Sequence, residues 1–91
     1  MQVERSFRGI SKRLATHYLE NLGGERVDGD PQGEGPVDVE GGDWTATLTD
    51  EKVTAAGSFT LTEVTVVFEG EEAALDGLVD DFAQKAMRAG G

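Results

Sequence analysis

Two stretches, Trp44-Thr45-Ala46-Thr47-Leu48-Thr49 and Val64-Thr65-Val66-Val67-Phe68, carry the pattern on which the fold turns. In the first, Trp44, Ala46 and Leu48 alternate with threonines; in the second, Val64, Val66 and Phe68 share a parity. A period of two places one set of side chains in a core and the other in water, as in an antiparallel sheet with one covered face. Between them, Asp50-Glu51 reads as a hairpin turn, with Gly57-Ser58 as the rival site. Val53, Ala55, Gly57, Phe59 and Leu61 share odd parity, against the even parity of Val64 to Phe68. A one-residue slip flips every side chain, so a turn or bulge is expected near Thr62-Glu63.

Helical periodicity flanks this strand region. Downstream, Leu75, Leu78, Val79, Phe82 and Ala86 follow i, i+3, i+4, i+7, i+11, a core-facing stripe. Glu69, Glu71 and Glu72 precede it, and Lys85 and Arg88 end it, as the helix macrodipole favours; the spacing predicts a helix over about 71–88. Upstream, Ser11 is placed as an N-cap, Leu14, Ala15, Tyr18, Leu19 and Leu22 form a stripe, and Gly23-Gly24 supply the stop, predicting a helix over 11–22. Gln2 to Arg8 alternates Val3, Arg5 and Phe7 with polar residues and reads as a strand. Residues 23–42 hold seven Gly, two Pro and six acids, a loop composition with at most two short strands, at Glu25-Arg26-Val27 and Val37-Asp38-Val39-Glu40.

The expected fold is therefore α+β, ordered β-α-β4-α, an antiparallel sheet with two helices packed on one face. Phe7, Leu14, Leu19, Trp44, Leu48, Phe59, Val66, Phe68, Leu75, Leu78 and Phe82 are the expected core. With 91 residues, 1–91 is expected to form a single domain carrying the Gly/Pro/acid-rich loop at about 23–42.

Eighteen acids against eight Lys plus Arg leave a net charge of −10. That balance argues against sequence-independent nucleic-acid binding and against a polybasic membrane contact, both of which need cations. Zero cysteines exclude disulfides, thiolate metal sites and a cysteine nucleophile. Met1-Gln2-Val3-Glu4-Arg5 has no signal-peptide core and no apolar run approaches ~20 residues, so a cytoplasmic location is expected. Only Lys12, Lys52 and Lys85 are lysines. An acidic surface poor in lysine resembles those of extreme halophiles, and at about 1 M salt the Debye length of ~3 Å abolishes long-range steering by charge.

Residues of chemical interest are few. His17 has no ligand or triad partner at a suitable spacing. Glu71-Glu72 and Asp80-Asp81 are sequence neighbours, set about 100° apart on a helix, so neither shares a proton as a dyad would. Asp28-Gly29-Asp30-Pro31-Gln32-Gly33 places oxygens at positions 1, 3 and 5 of a calcium loop, but position 12 is Val39 and Glu40 comes one place late. Gly33-Glu34-Gly35 lacks the Lys-Ser/Thr of a phosphate loop. No catalytic residue, metal or cofactor is assigned, and the domain is expected not to be an enzyme.

Phe7-Arg8-Gly9-Ile10, Gly57-Ser58-Phe59-Thr60-Leu61 and Val66-Val67-Phe68-Glu69-Gly70, together with the β-α-β4-α order, resemble the C-terminal domain of proteins related to the small subunit of molybdopterin synthase (MoaD-related). The resemblance implies a fold like the TATA-binding-protein repeat and a place in sulfur-carrier or molybdenum-cofactor biology. It also implies a non-catalytic role with a protein partner, such as a sulfur carrier or an E1-like activating protein. A second resemblance, in size, acidity and the closing Gly90-Gly91, is to small archaeal ubiquitin-like modifiers. It implies a β-grasp fold and activation and conjugation through Gly91. A third reading is a small apolar-ligand binder with a cavity near Trp44.

Overall fold

A computed structural model describes residues 1–54 and 56–88. In chain order the elements are β1 (Gln2–Arg8), α1 (Lys12–Asn21), β2 (Glu25–Asp28), β3 (Val37–Glu40), β4 (Trp44–Thr54), β5 (Thr60–Gly70) and α2 (Glu72–Arg88). The strands form one five-stranded sheet in the order β1-β5-β4-β3-β2, and every pairing among the described residues is antiparallel.

Register assigns the faces, because residues directly opposite in a ladder point to the same side. Val3, Arg5 and Phe7 stand opposite Phe68, Val66 and Val64; Ala46 and Leu48 stand opposite Phe68 and Val66; Val39 and Val37 stand opposite Ala46 and Leu48. Both helices cover this side, where Val37, Val39, Ala46, Leu48, Val64, Val66 and Phe68 are buried with Leu19, Leu75 and Phe82. Phe82 of α2 is the meeting point. Its ring lies edge-on to Phe7 of β1 (5.1 Å between centroids), Phe68 of β5 (5.7 Å) and Tyr18 of α1 (6.1 Å). The opposite face carries Thr45, Thr47, Thr49 and Thr65 and most of the strand acids.

The caps of α1 fall where local chemistry requires. Ser11 Oγ accepts from the Leu14 amide at 3.0 Å. At the other end, Gly24 N donates to Leu19 O and Gly23 N to Glu20 O, the paired bonds of a Schellman stop. Gly23 supplies the positive φ of 99° that this stop needs.

Three expectations need correction. Asp50-Glu51 does not turn. Both residues pair in the ladder, opposite Val64 and Glu63, and β4 continues to Thr54. The chain reverses after Thr54, where Gly57 has φ 58° and Phe59 N donates to Ala56 O; Ala55 lies outside the described residues. No bulge occurs near Thr62-Glu63, for the register runs unbroken from Thr60 to Gly70. The parity change has another cause: Val53 and Leu61 face each other on the open side of the sheet, and Val64, Val66 and Phe68 lie on the covered side. Phe59, expected in the core, is 67% exposed, because the strand around it extends past the helices.

Candidate functional site

The strands of the central hairpin are longer than anything beside them. β4 and β5 have 11 residues each, but β1 flanks β5 only from Glu63 to Glu69, and β3 flanks β4 only from Thr45 to Leu48. Beyond Asp50 and Thr62, where Lys12 and the Gly9 amide still reach the hairpin, its outer part projects as a two-stranded arm, and the molecule measures 42 × 24 × 21 Å. Val53 against Leu61 stiffens the arm on one face, and Lys52 Nζ donates to Thr62 Oγ1 at 2.8 Å on the other. At its end sits Phe59. A large aromatic held in water next to a stiff hairpin is the kind of group that anchors protein–protein contacts.

The root of the arm is tied down by Lys12, which in the sequence stands out only as one of three lysines. It is 1% exposed. Its Nζ donates to the carbonyls of Gly33 (2.8 Å) and Gly35 (2.6 Å) and lies 3.7 Å from Asp50 Oδ1. One ammonium thus joins the first turn of α1, the β2–β3 loop and β4. Its stem completes the true buried stripe of α1, namely Lys12, Ala15, Thr16 and Leu19, an i, i+3, i+4, i+7 pattern that was open to view. Leu14 and Tyr18 lie beside that stripe, partly buried against the core. Next to Lys12 an open cleft of ≈ 480 Å³ is bordered by Gln32, Gly33, Glu34, Gly35, Asp50 and Lys52, among others.

The calcium-like loop uses its oxygens internally. The Gly33 and Gly35 carbonyls turn to Lys12, and Asp30 Oδ1 accepts from the Gln32 amide at 3.0 Å. Among the described residues no three His, Asp or Glu side chains gather as a metal site would require. His17, Glu71, Glu72, Asp80 and Asp81 are all exposed and separate.

Trp44 is half-buried, with its indole pressed onto backbone. A Cβ at Gly41 would meet the ring at 2.1 Å, and one at Gly24 would meet it at 2.7 Å. The adjoining cleft is bordered by Glu40, Gly41, Gly42, Asp43, Thr45, Glu69 and Gly70, so the space near Trp44 is an acidic surface groove and not the apolar cavity expected. Gly90 and Gly91 lie outside the described residues. The open face of the sheet bears Glu4, Glu63, Glu69 and Glu51 against Arg8, whose Nε meets Glu63 Oε2 at 2.9 Å. Its sign opposes a phosphate backbone. No described helix is long and apolar enough to cross a membrane.

No curated protein matches the chain. Residues 3–91, which hold all of β1 but its first residue and every later element through α2, match the family described as archaeal MoaD-like protein. The chain belongs to the archaeal MoaD-like protein family.

Proposed function

We propose that this chain is a non-catalytic interaction domain working in a sulfur-carrier or molybdenum-cofactor type of pathway, with its β4–β5 arm as the contact element. The observation that carries the reading is Phe59, 67% exposed at the end of a hairpin that outruns the rest of the sheet. Family membership supports the pathway, and supports as partner a sulfur-carrier protein or an E1-like activating protein. The fold proposed is the TATA-binding-protein-like one. Its support is the β-α-β4-α order and the antiparallel sheet with both helices on one side, where a β-grasp would run β-β-α-β. Titration calorimetry with a purified activating protein and a purified sulfur carrier from the same cells tests the proposal. Binding to either, reduced at least ~10-fold by Phe59→Ser, is the expected result; a single buried aromatic anchor is worth that much or more. Binding to neither, or binding indifferent to Phe59→Ser, refutes it.

The second reading, a modifier conjugated through Gly91, is favoured by the diglycine itself. Against it stands the length of α2, which runs to Arg88. Three residues follow Arg88 in the sequence, which even fully extended could span only ~10 Å at ~3.4 Å per residue. Order parameters below ~0.6 for Met87 through Gly91 would mark an arm long enough to enter an activating channel. Conjugates that vanish when Gly90-Gly91 is deleted would make this reading the first; their absence leaves the interaction domain.

A further inference from the structure

The two edges of the sheet are built differently. β2, at one edge, has four residues and a register shift between Arg26 and Asp28, both of which discourage pairing with another strand. β1, at the other, has seven residues in unbroken register and contains neither proline nor glycine. Hydrogen bonds fix which of its backbone groups are free. Gly9 N donates to Thr62 O and Gly70 N to Met1 O, so odd-numbered residues bond to β5. Bonding alternates along an antiparallel strand, and the N–H and C=O groups of Gln2, Glu4, Ser6 and Arg8 therefore point away from the sheet. Among the described residues no strand pairs with them. Arg5 Nη1 donates to the Glu4 carbonyl, which among the described residues is the one outward carbonyl that already holds a side-chain donor.

We propose that β1 is a self-complementary edge that pairs antiparallel with β1 of a second copy of this chain, centred on Ser6, to make a continuous ten-stranded sheet. Charge complementarity favours a second copy as the occupant and the Ser6 register over its neighbours on the Glu4 side. Centring on Glu4 would set two carboxylates face to face, and centring on Arg5 would oppose two guanidinium groups. Centring on Ser6 places Glu4 opposite the partner's Arg8, and Arg8 opposite the partner's Glu4, on the open face. Arg8 stays free for this: it is 57% exposed even while bonded to Glu63. On the helix side, Arg5 comes opposite the partner's Phe7, a cation beside an aromatic ring. Three outward pairs then exchange about six backbone hydrogen bonds. Beside the edge lies an open groove of ≈ 370 Å³ in which Val3, Leu75 and Val79 are flanked by Arg5, Asp76 and Asp80, so a second copy seated there would meet charged as well as apolar surface. This inference is independent of the arm and of the diglycine.

The test is sedimentation equilibrium of the full chain in roughly 0.5 M KCl, where a Debye length of about 4 Å damps repulsion between two net charges but spares contact ion pairs. A reversible dimer is expected below ~0.5 mM, and its absence at that concentration overturns the proposal. Glu4→Arg and Arg8→Glu should each weaken self-association at least ~10-fold, because each homodimer then opposes like charges. An equimolar mixture of the two variants restores both opposite-charge pairs, so it should associate to within about 3-fold of the parent. The mixture also shows that both variants are folded. A dimer unaffected by the substitutions, or a mixture no better than its components, places the contact elsewhere. Ser6→Cys adds a register test, since the chain has no cysteine. Opposed residues in a hydrogen-bonded pair stand about 5.5 Å apart at Cα, within disulfide reach. Ser6→Cys should therefore oxidise to a covalent dimer far faster than Thr54→Cys on the arm; equal rates refute the register.

Discussion

Phe82→Ala is the most informative single perturbation of this fold. Phe82 is fully buried, and its ring contacts Phe7, Tyr18 and Phe68 edge-on, at centroid distances of 5.1, 6.1 and 5.7 Å. Truncating a buried phenylalanine costs about 3–5 kcal/mol, the transfer free energy plus the cavity left behind. Each aromatic pair adds roughly 0.5–1.5 kcal/mol beyond the area it buries. Three lost pairs put this site at the upper end, about 4–5 kcal/mol. Two sheet strands and both helices meet there, so the cavity cannot close by moving one element. A chain of this length has a total stability of roughly 5–14 kcal/mol. In a domain of this size 1 kcal/mol moves Tm by roughly 4–8 °C, so the variant should melt at least ~16 °C below the parent or be unfolded at 25 °C. Thermal melts followed by far-UV circular dichroism, with urea titrations to confirm an unchanged m-value, read this directly. Phe59→Ala is the internal control, expected within about 0.5 kcal/mol of the parent because Phe59 is 67% exposed. A Phe82→Ala protein melting within ~3 °C of the parent would refute the packing of α2 on β1 and β5.

Three further outcomes are expected. With a net charge of −10 and only three lysines, Tm should climb steeply from roughly 0.1 to 1 M KCl as self-repulsion is screened, and a flat response removes the halophile reading. Lys12→Met keeps the apolar stem but withdraws the ammonium from the Gly33 and Gly35 carbonyls. It should cost about 1–3 kcal/mol and raise amide exchange selectively across residues 29–36, whereas unchanged exchange there would deny Lys12 its anchoring role. Gly41→Ala drives a methyl group into the Trp44 ring; a loss of about 1–3 kcal/mol with a red-shifted tryptophan emission is expected, and an unshifted spectrum contradicts the seating of the indole.

How much of this was legible beforehand follows from which forces are local. The stripe Leu75, Leu78, Val79, Phe82 and Ala86 is buried as its spacing predicts, because one face of a helix is a property of consecutive residues. Ser11 and Gly23-Gly24 bounded α1 through bonds that reach at most five residues. The alternation of threonines with aliphatic residues marked β4 and β5 and told covered face from open face over most of their length. Where the hairpin turned was legible only as a choice between two sites, and the rival, Gly57-Ser58, is the one the chain uses. Asp50-Glu51 is turn chemistry, yet the ladder opposite Val64 and Glu63 outweighs a local preference, and the reversal falls around Gly57. Phe59 shows the same limit, for hydrophobicity says that a side chain favours burial but not whether another element arrives to cover it. Lys12 is the reverse case. Its stripe position was visible, but the two carbonyls that make its burial tolerable come from Gly33 and Gly35, more than twenty residues along the chain. Strand order was equally out of reach: β1 pairs with β5, more than fifty residues away, and that choice alone leaves the outer groups of Gln2, Glu4, Ser6 and Arg8 facing solvent. Sequence determined the sidedness of α2 and of the covered lengths of β4 and β5, since periodicity is a short-range property. Only the tertiary structure decided what lies at an edge, at a tip or over a charge, since those depend on contacts between distant parts of the chain.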